Sequence, residues 1–208
     1  MSNYLKKTAV VFLIGISAGI LCRLSDLFPY ESLWSLSSVA TLLGFWIASV
    51  SVITMYSTSH KVAFTNTFLY LFGMTLAFYA LKYLLGVFVP QFDNDGAFQT
   101  RLFLLYTGLS LLCGLGSAVL YFWNNPCRYS GILYALPAGA LLAEGIACGI
   151  VLMTRHMLLG QTMFDFMAAA YFCVALGKKA QNKFVFLCTL VVITAIVFHV
   201  VYQNWVTF

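Results

Sequence analysis

Glu144 lies in the middle of an apolar run, Gly131 to Met153, in a chain of which only 8% of residues are charged. An acidic side chain at the centre of a membrane helix costs about 2.5 to 3.5 kcal/mol on insertion scales, so it normally faces a partner, a hydrated recess or a pathway rather than lipid. A carboxylate there can orient a ligand cation, accept a hydrogen bond or carry a proton. Lys82 is a cation within another apolar run, and Thr75, Tyr79 and Lys82 share one helical face by their spacing. Pro137, Ala140, Glu144 and Cys148 share another. Two polar faces that meet would build a ligand site, with Lys82 balancing Glu144 or holding an anionic group. The competing reading gives Lys82 an ammonium that snorkels to the headgroups and Glu144 a hydrogen bond to a neighbouring helix.

The elements that must position these side chains are membrane helices. The 208 residues are 62% hydrophobic, and the mean hydropathy is +0.93. Runs of about 20 apolar residues each suffice to cross a hydrocarbon layer of roughly 30 Å. Period-two alternation is lacking, which excludes a transmembrane β-barrel. Connections are short, so the fold class is an all-α polytopic helical bundle forming a single membrane-embedded domain over residues 1–208. The net charge of +5 brings no basic arm or face outside the apolar runs, so nucleic acid is not a partner.

Seven spans are expected, at about 8–22, 37–57, 62–89, 102–123, 130–153, 161–176 and 184–202. The sixth is short, carries Asp165 near its start, and reduces the count to six if it is tilted or re-entrant. The first run resembles a signal-peptide core, but its end at Gly19-Ile-Leu-Cys22-Arg23 lacks a small-x-small cleavage site. Lys6, Lys7, Lys61, Arg128, Lys178, Lys179 and Lys183 fall on one set of connections, and Arg23, Arg101 and Arg155 on the other. That bias puts the N-terminus in the cytoplasm. Trp34, Trp123, Tyr121, Tyr202 and Trp205 then belong near the interfaces. Glu144 comes about nine residues, roughly 14 Å, below the outer end of its helix, and Lys82 roughly 10 Å below its own. Asp26, Asp165, Arg155, His156 and His199 also belong to the outer half.

Small residues set how closely helices approach. Gly131, Ala135, Gly139, Ala143 and Ala147 recur every four residues in the fifth run and form a packing groove, read first as intramolecular. Ala40, Gly44 and Ala48 repeat the interval in the second run, and Gly15 and Gly19 in the first. Pro137 is expected to kink the fifth helix about two turns before Glu144.

Catalytic and metal motifs are not assigned. Gly15-Ile-Ser-Ala-Gly19 has the spacing of a nucleophile elbow but sits inside an uninterrupted apolar run. His60, His156 and His199 are scattered, and no phosphate-binding glycine loop occurs. The six cysteines lack Cys-x-x-Cys spacing and read as small apolar core residues. No cofactor is expected. The connection Arg23 to Trp34 mixes charges with Phe28, Pro29, Tyr30 and Trp34, the composition of a loop covering a small ligand or of an interfacial anchor. The turn Gln91-Phe-Asp-Asn-Asp-Gly96 has an acidic pair that is a weak cation signal.

Small size, a basic cytoplasmic side, the Gly15/Gly19 pair and the segment Leu36-Ser-Ser-Val-Ala-Thr-Leu-Leu-Gly44 after an outer loop resemble the substrate-binding S components of energy-coupling-factor transporters. The resemblance covers about the first quarter of the chain. It implies solute capture from outside and docking on an ATP-driven partner, with Gly15 and Gly19 in the place of the family's alanine-rich docking motif. The family has six spans, against seven counted here.

The expected function is therefore to bind or transport a small solute in an outward-facing polar cavity, with Glu144, Lys82, Tyr79, Asp26, Tyr30 and Asp165 as ligand-binding residues. The expected setting is a bacterial plasma membrane, with the lipid bilayer, a solute, and a partner membrane subunit or a second copy as partners. The alternatives are an accessory or assembly protein that packs against partner helices and, with less support, a lipid-modifying membrane enzyme using Glu144 or Asp165 as acid or base.

Overall fold

The computed structural model describes residues 2–88, 98–124 and 130–207, with side chains from Lys7 onward, those of Ala40, Asn204 and Thr207 excepted. The acidic turn Gln91–Gly96, Cys127 and Arg128 lie outside the described residues. All regular elements among the described residues are helical: α1 (Ser2–Ser25), α2 (Leu36–Thr41), α3 (Leu43–Met55), α4 (His60–Phe88), α5 (Thr100–Leu120), α6 (Ser130–Arg155), α7 (Leu159–Gly177), α8 (Lys183–Val197) and α9 (Gln203–Thr207). A 3₁₀ turn, Tyr121–Asn124, extends α5, and a π-helical turn, Phe198–Tyr202, joins α8 to α9.

Six helical stretches, Lys7–Ser25, His60–Phe88, Thr100–Asn124, Ser130–Arg155, Leu159–Gly177 and Lys183–Tyr202, are long and apolar enough to cross a bilayer. The chain thus has the make-up of a multi-pass helical membrane protein. Two runs differ from their expected character. The sixth, suspected of being too short, is an unbroken helix of 19 residues. The second, expected as one helix over 37–57, is split at Leu42, which is extended at φ −82° and ψ 165° between α2 and the 13-residue α3. The split has local causes. Thr41 Oγ1 donates to the carbonyls of Ser37 and Ser38 at 3.1 and 3.3 Å, and Ser38 Oγ donates to Ser35 O at 2.6 Å. Short hydroxyl side chains that bond nearby backbone compete with helix propagation, and Gly44 just beyond is a weak helix former.

The helices group into two compact units. The first, residues 1–25 and 56–119, contains α1, α4 and nearly all of α5. Gly15 and Gly19 let α1 lie directly on α4: a Cβ on either would overlap the carbonyl oxygen of Tyr70 or Met74. Ser17 Oγ donates to Leu13 O at 3.1 Å within α1, so the elbow-like spacing is ordinary helix. Thr67 of α4 donates to Ser117 of α5 at 2.9 Å, and Ser117 donates to Ala63 O at 3.3 Å. Phe64, Phe68 and Phe72 stack along α4, with centroid spacings of 6.3 and 5.8 Å.

The second unit, residues 26–55 and 120–208, is organised around α6, which packs on α3, α7 and α8. The small-residue stripe of α6 faces its own chain. A Cβ on Gly139 would lie 2.9 Å from Ile193 Cγ2, and one on Gly131 would lie 3.4 Å from Asn182 O, both against α8 or its N-cap. Ala135 is fully buried in the core that contains Trp123, Phe172 and Phe186. Ala143 and Ala147 pack with Tyr202. Pro137 is buried within α6, which continues as a helix on both sides of it. Asn182 caps α8, its side-chain oxygen accepting from the amides of Phe184 and Val185. Of the aromatics expected as an interfacial belt, Trp34 is exposed, whereas Trp123 and Tyr202 are buried within the protein. Trp123 stacks on Tyr134, whose hydroxyl donates to Trp123 O at 2.6 Å.

Candidate functional site in the second unit

The site begins at the break in the second run. The first amides of a helix have no intrahelical acceptor, and the break creates such an end at Leu43 and Gly44, inside what would otherwise be a continuous apolar helix. These two amides face the Glu144 carboxylate from α3. The Tyr202 hydroxyl faces it from the π-helical turn. They act on it electrostatically without reaching hydrogen-bonding geometry: among the described residues neither Glu144 oxygen has a hydrogen-bond partner in that geometry, nor has Tyr202 Oη, although Glu144 is fully buried. An α-helix broken at membrane depth, with a half-helix N-terminus aimed at a polar group, is a recurrent way to build a solute or ion site. Single π-helical turns also occur often at functional positions.

Asp165 on α7 supplies the second carboxylate. It is fully buried and accepts from Gln161 Nε2, one turn earlier, at 2.8 and 3.0 Å. Gly44 makes room for it, since a Cβ there would fall on Asp165 Oδ1 and come within 2.8 Å of Gln161 Nε2. Gly145, next to Glu144, makes room as well, as its Cβ would lie 3.3 Å from Asp165 Cβ. The two carboxylates are near enough to act on each other electrostatically, and the Cys148 thiol, one turn beyond Glu144, faces both. Gln161 Oε1 is buried without a partner.

Tyr30 lies at the edge of this group. The residue is 44% exposed. Burial of the rest pushes the phenol up from its ordinary value, with Cys148 adding to the shift and Arg155 opposing it. The phenol therefore remains a neutral hydroxyl at physiological pH. The connection that carries Tyr30 is tied down at its far end. Ser35, in the left-handed region at φ 41°, is fully buried and donates to the carbonyls of Tyr30 and Ser32. Leu158 N donates to Ser35 Oγ at 3.3 Å, and Leu159 N to Leu33 O at 2.9 Å. A Cβ on Gly160 would approach Trp34 O to 2.8 Å. His156 and Leu158 also adopt positive φ, so the turn from α6 to α7 is tightly wound where it meets this connection.

The six expected ligand residues divide. Glu144, Asp165 and Tyr30 share one neighbourhood through Cys148, and Asp26 lies half-buried in the turn where the second unit begins. Lys82 and Tyr79 belong to the first unit. There Lys82 Nζ donates to Gln99 Oε1 at 3.0 Å, and Tyr79 packs among Phe98, Phe103 and Tyr106. Four residues of the site are additions to the sequence reading. Gln161 had a signal, being one helical turn before Asp165. Gly44 was read as a packing residue and Cys148 as core, although the latter shares the helical face of Glu144. Tyr202 was assigned to an interface.

Among the described residues no group of three His, Cys, Asp or Glu side chains stands together as a metal-ligand set. The arrangement can accept hydrogen bonds or positive charge. Comparison with known protein families, with curated proteins and with solved structures finds no match to this chain.

Proposed function

We propose that this chain is a plasma-membrane protein of six or seven spans, its N-terminus cytoplasmic, that binds or carries a small solute in a polar recess open to the outside. The observation that supports it most is the pair of unpartnered oxygens on fully buried Glu144, faced by the half-helix amides of Leu43 and Gly44 and by Tyr202. A buried polar group left unsatisfied costs about 1–3 kcal/mol, more when charged, and such a cost persists where function requires the group. Glu144 orients a cationic or hydrogen-bond-donating part of the solute, Asp165 with Gln161 forms the opposite wall, and Tyr30 with Asp26 lines the entrance. The resemblance to substrate-binding transport subunits adds an energising membrane partner to this reading.

Native mass spectrometry of gently purified protein tests it. Wild-type protein is expected to carry a small-molecule adduct that Glu144→Gln loses while its thermal unfolding is preserved. An adduct retained by the variant would remove Glu144 from the site. Loss of a protein partner in place of a small molecule would support the assembly reading.

A further inference from the structure

We infer that the group this site takes from its solute is a monovalent cation, and that its binding releases a proton held jointly by Glu144 and Asp165. The inference rests on the solute-binding reading above and names the chemistry of the bound group. It starts from the polar atoms without partners. Among the described residues Glu144 Oε1 and Oε2 and Gln161 Oε1 are buried acceptors with no donor in hydrogen-bonding geometry, and the donors beside Glu144 are the neutral amides of Leu43 and Gly44 and the Tyr202 hydroxyl. Such a lining suits a ligand rich in donors or positive charge and leaves an anion facing acceptors.

Charge balance supplies the second step. The side chains acting on the two carboxylates are each other, Tyr202, Gln161 and Cys148, none of them a cation. The elements packed around them bring few titratable groups to the pair. Residues 36–55 of α2 and α3 contain none. The groups that act on the pair are Glu144 and Cys148 of α6, Asp165 of α7 and Tyr202 of the π-helical turn, with Tyr30 of the 26–35 connection at the edge, influenced by Cys148 and by Arg155 at the end of α6. His199, in the same turn as Tyr202, is exposed. The N-terminus of α3 contributes the equivalent of about half a positive charge. Two neighbouring buried carboxylates with no more compensation than that do not both remain ionised, and one proton shared between them is the usual solution. A cation entering the pair takes over the proton's role, and the proton leaves to solvent. The displaced proton carries one positive charge, and a monovalent cation replaces it without changing the net charge of the pair.

A sodium ion and a protonated primary amine both present that charge. Isothermal titration calorimetry on the full-length protein separates them, using sodium chloride, methylammonium chloride and urea as probes at constant ionic strength. One of the two cations is expected to bind, and urea is not. The proton competes with the cation, so raising the pH removes the competitor: affinity rises by up to about tenfold per pH unit while the pair is protonated. The measured heat then varies with the ionisation enthalpy of the buffer, reporting proton release. Glu144→Gln is expected to lose at least about tenfold in cation affinity, and Asp165→Asn to flatten the pH dependence. Wild-type protein alone decides the main point, since cation binding without pH dependence or proton release overturns the inference. Binding of urea with neither cation binding overturns it while leaving the solute-binding reading intact. Absence of any adduct or probe binding overturns both.

Discussion

Gly15 and Gly44 are both helical glycines at packing intervals, yet they make room for different things. In the first unit the missing Cβ of Gly15, like that of Gly19, lets one backbone lie on another, with carbonyl oxygens where the side chain would be. In the second unit the missing Cβ of Gly44 makes room for the Asp165 carboxylate. Backbone cannot move aside without shifting a helix, whereas a carboxylate can rotate away at the cost of its own position. The first unit uses its small residues to close helices together. The second uses one of them to keep an acid among apolar helices.

Four changes bear on that contrast. Introducing Gly15→Val and Gly19→Val together is expected to cost more than about 3 kcal/mol, because both overlaps are with α4 backbone and overpacking costs typically 1–3 kcal/mol per site. Unfolding in mixed micelles should show it, and a smaller loss would mean that α1 and α4 can separate cheaply. Gly44→Ala is expected to cost about 1 to 3 kcal/mol by the same measurement. Adding Asp165→Ala should recover most of it, and failure to recover would make Gly44 a backbone-packing glycine like Gly15. Glu144→Met should raise stability by about 1 kcal/mol or more, because it removes a buried acid without partners, while abolishing the adduct seen by mass spectrometry. A loss of stability would instead show that Glu144 holds helices together. The smallest effect is expected for Thr67→Val, about 0.6 kcal/mol, the average for hydrogen bonds between membrane helices. Its measure is again the unfolding transition, and a much larger loss would mean that the Thr67–Ser117 contact carries more of the first unit than its geometry implies.

Much of the helical content was legible because apolar runs of membrane length leave the backbone few alternatives. The stripe from Gly131 to Ala147 was legible as a packing face for the same reason: its four-residue interval leaves little but backbone to meet a neighbour. The second run was read as continuous because hydropathy averages over the serines and the threonine whose hydroxyls bond the backbone around Leu42. Glu144 and Asp165 stood out as acids among apolar residues. Gln161, Gly44 and Tyr202 did not, since a glutamine at a helix start, a glycine at a packing interval and a tyrosine near a tail each have common structural explanations.

Chain composition alone determines that this protein has helices of membrane length and that acids within them need compensation, because both follow from the cost of placing backbone and charge in hydrocarbon. Which acid meets which neighbour is a matter of tertiary structure. The approach of α6, α7 and the broken α2–α3 segment brings Glu144, Asp165, Gly44 and Tyr202 together from positions up to 158 residues apart in the sequence, and no local pattern specifies such a meeting. Side-chain packing decides it: the gaps left at Gly44 and Gly145 are where α7 can bring its carboxylate close to that of α6.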